Sequence, residues 1–127
     1  MLFRSRLLKL LAEQVGPWAI SGPTRILGEA CLLDTEAHAR QRERCVETSQ
    51  RLAMTLERHG FKPQGGCALF QWLVTEHAQA LYEFMAHRGI LLRLFTETSS
   101  LRFGLPADDA QFLRLEQAFE AYAKDIQ

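Results

Sequence analysis

Two arginines, Arg93 and Arg102, interrupt the otherwise apolar stretch from Gly89 to Pro106. On a buried strand, a guanidinium without a counter-ion forfeits on the order of several kcal/mol of hydration. Each arginine therefore calls for an anion. The candidates are a carboxylate of this chain, such as Glu97 or Glu116, and a ligand carboxylate or phosphate gripped by two parallel hydrogen bonds. The other reactive residues do not assemble into a set. The four histidines, His38, His59, His77 and His87, are scattered without an HExxH or Cys/His spacing, so no metal site is expected. Cys45 lies seven residues after His38 but lacks an orienting third group, and it reads as a core thiol. Asp108 and Asp109 suit the positive start of a helix better than acid–base work. Gly65-Gly66 precedes a strand and is no phosphate loop, and Ser21 lies outside any GxSxG elbow. No catalytic, cofactor-binding or metal-binding residue is assigned.

These groups need a frame, and 127 residues with 47% hydrophobic and 24% charged composition suffice for one domain spanning residues 1–127. Fifteen Lys+Arg balance fifteen Asp+Glu, so no global field draws the chain to nucleic acid or an anionic membrane. Three cysteines without a CxxC pair predict buried thiols in a reducing compartment, the cytoplasm. Arg4, Arg6 and Lys9 interrupt the leucines of the first segment, so neither a signal sequence nor a membrane span is expected.

Apolar spacing then places the elements. Leu7, Leu8, Leu11 and Val15 stripe a helix over about residues 4–14, stopped by Gly16-Pro17. Ser21 caps a second helix with Pro23 in its first turn and a stripe of Ile26, Leu27, Ala30 and Leu33. From Thr35 to His59 a long helix carries the seam Cys45, Ser49, Leu52 and Leu56, and Gly60 is its left-handed cap. Its arginine cluster at 40–44 lacks interleaved aromatics and reads as a solvated face rather than an RNA stripe. Beyond it the sequence predicts a turn at Gly65-Gly66 and a buried strand from Cys67 to Val74. Thr75 is expected to cap a helix over 76–88 that ends at Gly89, with Ala78, Leu81, Tyr82 and Met85 on one face. Strands follow over 90–95 and 100–105, and a last helix has the stripe Phe112, Leu115, Phe119 and Tyr122. The fold class is α/β of α+β type. Two or three helices precede a small mixed or antiparallel sheet with helices largely on one face.

The segments Gly16-Pro17-Trp18-Ala19-Ile20-Ser21-Gly22-Pro23, Gly89-Ile90-Leu91-Leu92-Arg93 and Ser100-Leu101-Arg102-Phe103-Gly104-Leu105-Pro106 carry a resemblance. Together they resemble the C-terminal part of the threonine-phosphate decarboxylases of cobalamin (vitamin B12) biosynthesis. Those enzymes are similar to histidinol-phosphate aminotransferases, and both belong to the fold type I pyridoxal-phosphate family. The likeness runs from the first helix to Tyr122. It implies that Arg102 matches the arginine that binds the substrate carboxylate, and Arg93 a second arginine lining the same pocket. The Arg93 match is the weaker, because only eight residues, Leu94 to Leu101, separate the two.

Family members are more than twice as long and keep their cofactor lysine in a preceding large domain, a position that Lys9, Lys62 and Lys124 do not match. The resemblance therefore implies the C-terminal small domain of a homodimeric enzyme, inactive without its large domain, that orients an anionic amino-acid phosphate against pyridoxal phosphate. The alternatives are the small domain of a histidinol-phosphate-type aminotransferase and a free-standing, non-enzymatic module for anion binding or dimerisation.

Overall fold

The computed structural model describes residues 2–16 and 19–125. Helices α1 (Leu2–Val15), α2 (Gly22–Leu33) and α3 (Thr35–Arg58) come first. Strands β1 (Gly65–Cys67) and β2 (Phe70–Val74), helix α4 (Ala78–His87), strands β3 (Arg93–Phe95) and β4 (Ser100–Gly104) and helix α5 (Asp109–Asp125) follow. The chain divides into two compact units, Met1–His38 and Ala39–Gln127.

In the first unit the predicted caps form. The Ser21 side chain accepts the Thr24 amide at 3.3 Å, with Pro23 in the first turn of α2. Asp34 closes α2, and its carboxylate accepts the Ala37 amide at 2.8 Å, so the predicted break doubles as the start of α3. The apolar stripes of this unit stay in solvent. Leu7, Leu8, Leu11 and Val15 are exposed, as are Ile26, Leu27 and Leu33, and no residue of α2 is buried. Of the Gly16–Pro23 segment, residues 17 and 18 lie outside the described residues.

The second unit holds the core. Its sheet runs β1-β2-β4-β3 with every pairing antiparallel. Side chains alternate between faces along each strand. Leu73, Leu101 and Phe103 accordingly point one way and pack with Leu52 and Leu56 of α3, Leu81 and Met85 of α4, and Phe112 and Phe119 of α5. The helices thus cover one face of an antiparallel α+β sheet. Beside the core, Arg51 bridges to Asp109 and Arg58 to Glu116, two pairs with the same spacing of seven residues on α3 and on α5. At the start of α5 the Asp108 carboxylate accepts the Gln111 amide at 2.9 Å, while the Gln111 side-chain oxygen accepts the Ala107 amide at 3.0 Å.

Several expectations need correction. Gly65 and Gly66 lie within β1, opposite Trp72 and Gln71, and the chain reverses at Ala68-Leu69 instead. A clamp on α3 accompanies that register: the Ser49 hydroxyl donates to the Cys67 carbonyl at 2.7 Å, and the Gln71 amide donates to the Ser49 hydroxyl at 2.8 Å. The Cys67–Val74 run is not buried along its length, because only one face of β2 meets helices and only Leu73 of that strand is buried. Helix α4 begins at Ala78, since the Thr75 hydroxyl accepts the His77 amide at 3.3 Å in a turn that precedes the helix. Strand β3 begins only at Arg93. The thiols are not a buried set: Cys31 and Cys67 are exposed, and Cys45 is half-buried with its sulfur facing the Gln41 amide at 3.4 Å.

The glycine caps stand as expected. Gly60 at φ +82° and Gly89 at φ +69° occupy the left-handed region. Each is followed by an amide that reaches back five residues, Phe61 to the Leu56 carbonyl at 3.0 Å and Ile90 to the Met85 carbonyl at 2.9 Å.

Candidate functional site

On the face of the sheet opposite the helices, Arg102 is flanked in register by Trp72 of β2 and Arg93 of β3. The same alternation that buries Leu101 and Phe103 sends Arg102 outward between them. Both arginines are exposed. The premise that they sit on buried strands therefore fails, and with it the argument from lost hydration. A different constraint takes its place. Arg93 and Arg102 lie directly opposite each other on adjacent antiparallel strands, where like charges destabilise the pairing.

Neither of the expected internal carboxylates relieves that repulsion. Glu116 is engaged by Arg58 at 2.7 Å. Among the described residues, no aspartate or glutamate, Glu97 included, forms an ion pair with Arg93 or Arg102. Their contacts are aromatic. The Arg102 guanidinium carbon lies 5.3 Å from the Phe70 ring centroid, and that of Arg93 lies 5.6 Å from the Phe95 ring centroid. Trp72 reaches across β4 to Phe95, with ring centroids 6.2 Å apart. Rings at these distances restrain a guanidinium without neutralising it. The result is an open platform of two cations, each beside one phenylalanine ring, with Trp72 in register next to Arg102 and tilted toward Phe95.

Sequence reasoning found the two arginines and missed Phe70, Trp72 and Phe95 as their companions. No periodic signal marked them: in Phe70-Gln71-Trp72-Leu73-Val74 only Gln71 is polar, so the exposed face of β2 carries the same apolar residue types as its buried one.

Among the described residues, no group of three or more His, Cys, Asp or Glu is placed to hold a metal ion. No helix of the described chain is long and apolar enough to cross a membrane. Lys9 on α1, Lys62 before β1 and Lys124 on α5 are all exposed on separate elements. Among the described residues they do not build a cradle for pyridoxal phosphate.

No family model matches the chain. It is 50% identical over 112 residues to a Pseudomonas aeruginosa protein named threonine-phosphate decarboxylase, a match that covers 88% of this chain and 34% of that protein. It is also 34% identical over 113 residues to a Sinorhizobium protein of the same name, covering 87% of this chain and 33% of that relative. The chain therefore spans about a third of the length of the curated relatives it matches.

Proposed function

We propose that this chain is the substrate-anchoring, C-terminal small domain of a threonine-phosphate decarboxylase of cobalamin biosynthesis, working in the cytoplasm beside a larger domain that holds pyridoxal phosphate, within a homodimer. One observation carries this reading: Arg93 and Arg102 face each other in register on an open sheet face and, among the described residues, no acid forms an ion pair with either. An oxyanion bridging the two guanidinium groups removes their repulsion and forms charge-assisted hydrogen bonds with both. Threonine phosphate offers two such ends, a carboxylate and a phosphate. The names of the relatives support that substrate, and the aromatic contacts to Phe70 and Phe95 support the arginines in holding one end in a fixed direction. The lysines of this chain do not fit the cofactor, so its part is to bind and orient.

The test is isothermal titration of O-phospho-L-threonine into the protein and its Arg102→Ala variant, with threonine and inorganic phosphate as separate arms. The expected result is saturable binding to the native protein, weakened at least tenfold by the substitution. The two control ligands identify which anionic end the arginines hold. Equal affinity in both proteins removes Arg102 from the site.

A further inference from the structure

Strand β4 is central, and its pairing with β2 runs as far as Gly104, whereas its pairing with β3 stops at Arg102 opposite Arg93. The chain enters β3 from the left-handed turn at Gly89, where the Ile90 amide bonds back to the Met85 carbonyl of α4. Hydrogen-bonding groups alternate sides along a strand, so one of Phe103 and Gly104 turns its N–H and C=O toward the space that β3 does not fill. Among the described residues, no backbone hydrogen bond joins residues 90–92 to residues 103–105. The space is a cavity of about 280 Å³ bounded by residues 89–92 and 103–106 and by Gln111, Arg114 and Leu115 of α5. Its size approaches the lower end for small-molecule sites, roughly 300 Å³.

We infer that this cavity is a second binding site, separate from the arginine platform, for a small carboxylate carried on a short aliphatic body. Arg114 is the one charged residue of its lining among the described residues. One Arg114 nitrogen donates to the Arg88 carbonyl at 2.6 Å, which leaves further N–H groups of the fork available. The Gln111 oxygen is taken by the Ala107 amide, so its NH2 group is the unspent end. Residues three apart on a helix share a face, and Gln111 and Arg114 therefore present their donors together. A β-carbon at Gly89 would lie 2.6 Å from an Arg114 nitrogen, so glycine there makes room for the guanidinium. Ile90, Leu92, Leu105 and Leu115 complete the lining with aliphatic surface. Donors and a cation beside aliphatic walls match a carboxylate with a short hydrocarbon chain better than bare phosphate. Phe103 lines this cavity from the helix side of β4, whereas Arg102 projects from the other face and is absent from the lining.

The experiment is an amide NMR titration with sodium hexanoate, run in parallel with inorganic phosphate. Saturable, millimolar shifts at Gly89, Gly104 and Leu105 are expected with hexanoate. Arg114→Leu removes the cation, and Leu105→Phe fills the cavity while leaving Arg114 in place. Each is expected to weaken hexanoate binding at least tenfold, and Arg102→Ala is expected to leave it unchanged. Non-saturating shifts overturn the inference, as does native affinity in both cavity variants, a loss in Arg102→Ala, or equal binding of phosphate at the same amides.

Discussion

Leu101 and Phe103 are at most 1% exposed on one face of β4, while Arg102 between them stands in solvent on the other. The helix-facing side has a single physical task, the removal of apolar surface from water, and fully burying each such side chain contributes about 1.5–3 kcal/mol. The opposite side does the reverse. It leaves Trp72 at 42%, Val74 at 44% and Phe95 at 37% exposure and sets two guanidinium groups face to face. Neither feature favours folding. Their coexistence on one strand separates the residues that make the fold from those available to a ligand.

That separation is open to direct attack. The largest effect is expected from Phe103→Ala, which empties a fully packed core position and should lower unfolding free energy by about 3–5 kcal/mol in urea melts, with phosphothreonine affinity of the folded protein retained. Arg102→Ala should do the opposite. It is expected to weaken phosphothreonine binding by about 1.5–3 kcal/mol while leaving the urea midpoint unchanged or slightly raised, because a like-charge pair disappears. Ser49→Ala removes a hydroxyl bonded to both the Cys67 carbonyl and the Gln71 amide, and the β1–β2 hairpin is expected to loosen by about 1–3 kcal/mol, read by urea melts and by faster amide exchange in β1.

The smallest effect concerns pH. Burial, and secondarily Asp125, raise the Tyr122 phenol above its ordinary value of 10.0. The folded state then holds that proton more tightly than the unfolded chain does. The associated stability is present below pH 10.0 and is lost as pH climbs through the raised value. Tyr122→Phe should flatten that alkaline decline in a stability–pH profile.

Three helix ends and the stripe of α5 were legible because they are local, whereas Thr75 does not cap α4 and the stripes of α1 and α2 are exposed. Ser21, Gly60 and Gly89 act through neighbours within five residues, and the stripe Phe112, Leu115, Phe119 and Tyr122 is buried as its spacing predicts. The strands were less legible because their boundaries are set by partners. Nothing within Gly65-Gly66 announces that it pairs with Gln71 and Trp72, and the reversal at Ala68-Leu69 follows from that register. The arginines stood out as charges among apolar residues. Their exposure and mutual register depend on which face the helices cover, and the aromatic platform became visible only once β2, β4 and β3 lay side by side.

The most direct test of the open arginine pair is ligand-linked stability. Urea unfolding of the native chain is followed at rising O-phospho-L-threonine concentration beside the Arg93→Ala/Arg102→Ala double variant. Binding to the folded state alone should add about 2.7 kcal/mol at a hundredfold excess over Kd for the native protein. The double variant should show no gain. An equal gain in both proteins would contradict the assignment of the anion to these two residues.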